Sequence, residues 1–291
     1  MLLASTSHGV YHLTFFQAIV IGLIQGLTEL FPVSSLGHSV LVPALLHLRL
    51  DRAAPWFLPF LVVLHLGTAT ALLLYFWKDW WGILKSLLRT RGRPIEPETR
   101  LFWLLVLGTV PAGLLGLLLV HFVRSLFAGF TVAAVFLIVN GLALFVGDRL
   151  KKREARHRLD DMPWTSALVI GLAQATALIP GISRSGATLV AGLGRGLDYE
   201  AAARFSFLLS APIIGAAGLL ETPKLFHAGV GIGPLLPVVF AAGLLAGVCA
   251  WLSSWFLMRY FHRREVTALR PFAFYCLAAG VAALALHALS L

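Results

Sequence analysis

Apolar residues fall in long, nearly charge-free runs along this 291-residue chain, with the charged residues gathered between them. Six runs, at 58–77, 101–120, 131–147, 204–220, 237–258 and 272–290, approach the roughly 20 residues that a helix rising about 1.5 Å per residue needs to cross about 30 Å of hydrocarbon. Each is predicted to be a transmembrane helix. Two further apolar stretches, 13–48 and 164–199, are interrupted midway by "FPVSSLGH" and "IPGISRSG". The limb after the first break, 38–48, is about half a crossing in length. Both stretches are therefore predicted to be re-entrant helical hairpins, whose irregular backbone must be buried in protein or line a cavity.

The two interrupted stretches also match each other. At an offset of 149 residues, "IGLIQGLTELFPVSSLGHS" from Ile21 falls on "IGLAQATALIPGISRSGAT" from Ile170. Gln25 meets Gln174, Ser34 meets Ser183, Gly37 meets Gly186 and Ser39 meets Thr188. The chain reads as a duplication with repeats of approximately 13–147 and 164–290.

Composition agrees with the pattern: 59% hydrophobic and 12% charged residues, with a mean hydropathy of +0.87, describe an all-α integral membrane protein forming a single membrane domain over 1–291. The net charge of +10 changes the picture only through its distribution. Lys78, Lys85, Arg89, Arg91 and Arg93 form one cluster, Arg149, Lys151, Lys152, Arg153, Arg156 and Arg158 a second, and Arg259, Arg263, Arg264 and Arg270 a third. Basic residues beside apolar spans mark cytoplasmic loops, which displaces nucleic-acid binding as the explanation. Loops 78–100, 149–163 and 259–270 are thus expected inside, and both termini outside. Three spans, an odd number, separate the hairpins, so the repeats are expected to be inverted, with a site near the midplane where the broken helices meet. Cys249 and Cys276 have no metal or redox spacing and read as packing residues. The N-terminal "MLLASTSHGVYHL" lacks the basic start and cleavage site of a removable signal peptide.

Each break places serines just before a new helix: Ser34 and Ser35 in the first, Ser183 and Ser185 in the second. One such serine is a helix cap. Two capped helix starts facing one cavity make an anion site of free N–H groups and positive helix ends. Arg184 suits a pair of phosphate oxygens and is costly in lipid without such a role. Glu29, the only acid in the first fifty residues, follows Gln25 by four and shares its helix face. A carboxylate beside a phosphate calls for a bridging cation, so Glu29 and Gln25 are candidate ligands of Mg²⁺ or Ca²⁺. His38, three residues after Ser35, is a candidate acid–base beside a candidate nucleophile. His47, His65, His121 and His287 lack such company and read as structural.

These residues resemble the signature stretches of the undecaprenyl-diphosphate phosphatases, the bacitracin-resistance family of bacterial plasma membranes. The likeness runs from "QGLTELFPVSSLGH" through "LHLGTATALLLYFW" (64–77), "PGISRSGATL" and "EAAARFSFLLSAP" (200–212), in order and over nearly the whole chain. It implies hydrolysis of undecaprenyl diphosphate to the monophosphate and inorganic phosphate in the inner membrane, recycling the lipid carrier of cell-wall synthesis. The family's Glu/Gln-x-x-x-Glu motif falls on Gln25 and Glu29, its serine pair on Ser34 and Ser35, and its histidine on His38. Its second motif falls on Pro180, Gly181, Ser183, Arg184, Ser185 and Thr188, which implies diphosphate binding by Gly181 and Thr188 as well. Two positions depart: Gln25 stands where many members have glutamate, and Leu36 where threonine is common.

Ser35 as nucleophile and direct attack by water are both open at this stage, as are prenyl length, the cation, the leaflet served and a homodimer. A flippase for prenyl phosphates, using the same midplane anion site without a nucleophile, is the alternative from another class. The acid phosphatases that resemble vanadium haloperoxidases need a Lys-x₆-Arg-Pro stretch, whose spacing "RTRGRP" lacks.

Overall fold

The computed structural model describes residues 13–46, 48, 50, 57–119, 129–150, 157–221, 223, 236–264 and 267–289. The expected positions of the N-terminal segment, of His47 and His121, and of Lys151, Lys152, Arg153 and Arg156 lie outside them. The described residues form eleven α-helices and no strand: α1 (Phe15–Thr28), α2 (Ser35–Leu45), α3 (Phe57–Tyr75), α4 (Trp77–Thr90), α5 (Pro97–Leu118), α6 (Phe130–Leu150), α7 (Trp164–Ala175), α8 (Arg184–Gly194), α9 (Tyr199–Glu221), α10 (Leu236–Arg263) and α11 (Arg270–Leu289). Five of them, α5, α6, α9, α10 and α11, are long and apolar enough to cross a membrane, and α3 with α4 passes as a bent sixth.

Each expected span thus has its helix, but the basic segment 78–100 is not simply a loop. After Phe76 the chain bends by 74° and continues as α4. "WKDWWGILKSLLRT" is amphipathic, with Trp77, Trp81, Leu84 and Leu88 exposed on one side and Ile83 and Ser86 buried against α5 on the other. The charges of this segment, expected as a cytoplasmic loop, sit on an amphipathic helical period. Arg91, in the left-handed region at φ 53°, ends α4, and Pro97 starts α5 at a position where no N–H is needed. Arg259 and Arg263, likewise expected in a loop, ride on the last turns of α10.

The two interrupted stretches fold as helix–turn–helix units, α1–α2 and α7–α8. Thr14 begins α1 with a reciprocal capping box, accepting from the Gln17 N–H while its own N–H donates to the Gln17 side chain. Helices α2 and α8 are each eleven residues long and start 149 residues apart. Each is capped by the serine before it: Ser34 Oγ accepts from Gly37 N, and Ser183 Oγ from Gly186 N, both at 3.1 Å.

Packing follows the same correspondence. Helix α1 lies against α10 and α7 against α5, with the backbones so close that a Cβ at Gly22 would strike the Ala242 carbonyl and one at Gly171 the Gly108 carbonyl. Helix α3 packs on α10 and α9 on α5, while α6 pairs with α11 and α3 with α9. The two turns meet at the middle. Asn140 of α6, 2% exposed, donates to the Pro32 carbonyl at 2.9 Å and accepts the Ser183 N–H at 3.0 Å, so one side chain holds both turns.

Candidate functional site

The polar residues that an apolar chain must hide are gathered around the carboxylate of Glu29, the C-cap of α1. Its Oε2 accepts from Gln25 Nε2 at 2.9 Å and from the Ser35 hydroxyl at 2.6 Å, and His65 Nε2 stands 3.4 Å away. Its Oε1 faces Arg184 Nη2 at 3.2 Å. The α1–α2 turn brings Ser35 back to Glu29, and Ser34 makes that return with an unusual backbone for a residue with a side chain, φ 69° and ψ 96°. Backbone held in a costly region beside reactive groups marks a site whose surroundings impose the conformation.

Arg184 opens α8 and reaches Glu29 across the meeting point of the two turns. Its Nη1 donates to the Ser206 carbonyl at 3.3 Å, while its Nε, buried, has no partner. A guanidinium held by two of its three nitrogens keeps donors for a further oxyanion. Thr188 fixes the backbone below it, donating to the Arg184 carbonyl at 2.8 Å and sharing a 2.6 Å hydrogen bond with Ser206 Oγ.

Several of these groups border a cavity of about 370 Å³. Glu29, Ser34, Ser35, His65, Gln174, Ser183 and Arg184 are its polar lining, and apolar residues of α2, α3, α5, α9 and the second turn line the rest. A polar lining that holds the Glu29–Arg184 ion pair, joined to apolar walls, suits an amphiphile with a polar head.

Not every residue marked in the sequence is at the cavity wall. Ser185, fully buried, donates to the Phe31 carbonyl at 3.1 Å and stands 3.0 Å from Ser183 Oγ, tying one turn to the other. Gly181, at φ 103°, sits where a Cβ would collide with the Ala133 carbonyl, so the turn requires glycine there. Thr188 acts through Arg184 and Ser206. His38 is not paired with Ser35: its Nδ1 bonds the Ser34 carbonyl and its Nε2 the Tyr275 hydroxyl, both at 2.7 Å, with the two rings stacked. Helical spacing puts His38 and Ser35 on one face, but the turn directs the Ser35 hydroxyl to Glu29.

His65, read from the sequence as structural, lies in the cluster. A histidine inside a span is itself a signal, since ionisable side chains in hydrocarbon are rare outside working sites. Asn140, Ser206 and Tyr275 gave no comparable signal, because a single amide or hydroxyl in a helix says nothing of what faces it.

The donors around Glu29 bear on a divalent cation. Gln25 Oε1, on a fully buried side chain, has no hydrogen-bond partner, and Gln25 is bonded to Glu29. A carboxylate with an orphaned amide beside it fits an ion that completes its shell with phosphate and water oxygens, as Mg²⁺ commonly does.

Comparison with known proteins places the chain. The family model described as "Bacitracin resistance protein BacA" matches residues 18–282. The chain is 56% identical over 268 residues to "Undecaprenyl-diphosphatase 2" of Chromobacterium violaceum, covering 92% of this chain and 97% of the relative. It is 50% identical to "Undecaprenyl-diphosphatase" of Granulibacter bethesdensis, over 92% of this chain and 95% of that one. The protein of the same name from Acidiphilium cryptum is 49% identical, over 92% and 96%.

Proposed function

The chain belongs to the bacitracin resistance protein BacA family, and from that premise we propose that it hydrolyses undecaprenyl diphosphate to undecaprenyl phosphate and inorganic phosphate. The observation that carries the reading is the Ser35–Glu29–Arg184 cluster in the wall of a largely apolar cavity. Arg184, with the Nε that lacks a partner, and the starts of α2 and α8 hold the diphosphate. The Ser35 oxygen attacks the terminal phosphorus while its proton passes along the existing 2.6 Å hydrogen bond to Glu29. The bond from that phosphorus to the bridging oxygen breaks, and undecaprenyl phosphate leaves with the electron pair. Water then displaces the serine from phosphorus, the proton returns to the Ser35 oxygen, and inorganic phosphate departs. Arg184 and the helix N-termini stabilise charge on the transferring phosphoryl group.

Glu29 and Gln25 are the residues that hold a divalent cation, Mg²⁺ or Ca²⁺. When bound, it neutralises part of the phosphate charge that Glu29 would otherwise repel. His38 supports the Ser34 peptide from behind, and Gly181, Ser185 and Thr188 keep the second turn and Arg184 in place.

In the bilayer, α1–α2 and α7–α8 are re-entrant hairpins of an inverted repeat in the inner membrane, with both termini outside. The equal lengths of α2 and α8, their equivalent serine caps and the paired contacts of α1 with α10 and α7 with α5 support that reading. The test is phosphate release from undecaprenyl diphosphate by the purified protein in detergent. Release that EDTA stops and Mg²⁺ or Ca²⁺ restores is the expected result. A protein that binds the lipid and releases no phosphate would overturn the assignment as a hydrolase, and full release in EDTA would remove the cation.

A further inference from the structure

The geometry points to His65 as a third protein ligand of the divalent cation, making its site a mixed nitrogen–oxygen one that favours Mn²⁺ and its first-row neighbours over Ca²⁺. This rests on the cation reading above and deepens it. Three observations converge.

The first is the ring orientation. His65 Nδ1 lies 2.7 Å from the Leu61 carbonyl, one helical turn back. A carbonyl can only accept, so Nδ1 carries a proton there, and Nε2 is the nitrogen the ring turns toward Glu29. Histidine ligands of metals are commonly held in this way, with the remote N–H on a backbone carbonyl fixing both tautomer and ring plane.

The second is the Nε2 environment. It faces Glu29 Oε2 at 3.4 Å, longer than the roughly 2.7–2.9 Å of a charge-assisted N–H···O bond. Two donors each about 2.1 Å from one ion and 3.4 Å from each other subtend an angle close to tetrahedral. The spacing thus admits one cation between the two atoms.

The third is independent of both. The amide of Gln25 is fully buried, its Nε2 is spent on the same Glu29 oxygen, and its Oε1 has no partner. A half-turn about its last side-chain bond exchanges the two, bringing the carbonyl oxygen to 2.9 Å from Oε2. Two oxygens so placed repel unless a cation lies between them. Glu29, His65 and Gln25 then supply one carboxylate, one imidazole and one amide oxygen, while Arg184 stays on the opposite carboxylate oxygen, Oε1.

An imidazole ligand distinguishes between metals. Mg²⁺ and Ca²⁺ take oxygen ligands, whereas nitrogen raises affinity for the first-row transition ions. The substrate-free, full-length protein in detergent is titrated with Mn²⁺ alone and followed by electron paramagnetic resonance, with electron spin-echo modulation used to detect nitrogen at the metal. Expected is a single bound Mn²⁺ with ¹⁴N modulation from imidazole. In His65→Gln, which keeps the length and polarity of the side chain, the modulation disappears. Mn²⁺ affinity there falls by about tenfold or more, while Mg²⁺ affinity changes less, because an oxygen has replaced the nitrogen. Bound Mn²⁺ without ¹⁴N modulation, modulation that persists in His65→Gln, or no saturable Mn²⁺ binding would each overturn the proposal. Phosphate release that is metal-dependent in a protein lacking the ¹⁴N signal removes His65 from the site and leaves the cation. Release unaffected by EDTA removes the cation itself.

Discussion

At the scale of the residue, the site depends on a few groups whose alternatives are costly. Arg184 is aimed by Glu29 and the Ser206 carbonyl, and its buried Nε has no partner; the proposed function gives it a phosphate oxygen. Arg184→Ala is expected to lower kcat/KM for undecaprenyl diphosphate by about 100- to 1,000-fold, in line with the loss of one preorganised donor to a developing anion. Arg184→Lys recovers little, because a point charge does not reproduce the fork; near-normal turnover in that variant would exclude the two-pronged contact. His38 makes a different prediction. With Nδ1 on the Ser34 carbonyl and Nε2 on Tyr275, it acts as a support for the strained Ser34 peptide. His38→Gln, which can still offer an N–H to that carbonyl, should retain well over the activity of His38→Ala. Equal inactivity of the two would return His38 to proton transfer.

At the scale of the element, close approach of backbones decides the packing. Gly22 lets α1 touch α10, and Gly171, its equivalent 149 residues on, lets α7 touch α5. Gly22→Leu and Gly171→Leu must each push a helix pair apart, at a cost of about 1–3 kcal/mol or more. Both are expected to lower the melting temperature in detergent; a variant that melts with the wild type would show that the helices have room to spare. Asn140 joins elements that share no sequence proximity. Asn140→Ala removes the amide from the Pro32 carbonyl, which keeps only the weak Cys276 Sγ contact, and from the Ser183 N–H, a loss of about 2–6 kcal/mol for two buried groups. It should also reduce activity, since both turns carry site residues, and a stable, fully active variant would count against Asn140 as the clasp.

At the scale of the whole molecule, the proposed inverted topology can be tested without reference to chemistry. In a background lacking Cys249 and Cys276, cysteines at Arg91 and Arg264 are expected to resist a membrane-impermeant thiol reagent in intact cells and to react after lysis. Cysteines at sequence positions Ala128 and Gly231 should react in intact cells. Protection of those two, or labelling of Arg91 from outside, would reverse or dismantle the orientation. The mass of apolar surface left exposed on α9, α10 and α11, including Leu219, Phe240, Leu244, Phe274 and Val281, is what hydrocarbon rather than water would solvate.

The apolar runs alone determined the helices, because a chain in lipid must satisfy its backbone internally and needs a set length to cross, so span and helix coincide. The breaks were legible for the same reason: "FPVSSLGH" and "IPGISRSG" cannot continue an apolar helix, and the serines there are its caps. Glu29, Ser35 and Arg184 stood out as charge and hydroxyl where lipid tolerates neither without a purpose. What neighbours each of them was decided only by the tertiary structure. His65 approaches Glu29 from α3, Asn140 reaches both turns from α6, and Tyr275 meets His38 from 237 residues away. Contacts of that kind depend on the rotation and depth of one helix against another, which composition and periodicity leave free. Helix α4 shows the converse limit: its period was present in the sequence, but the bend that lays it against α5 instead of continuing α3 comes from packing.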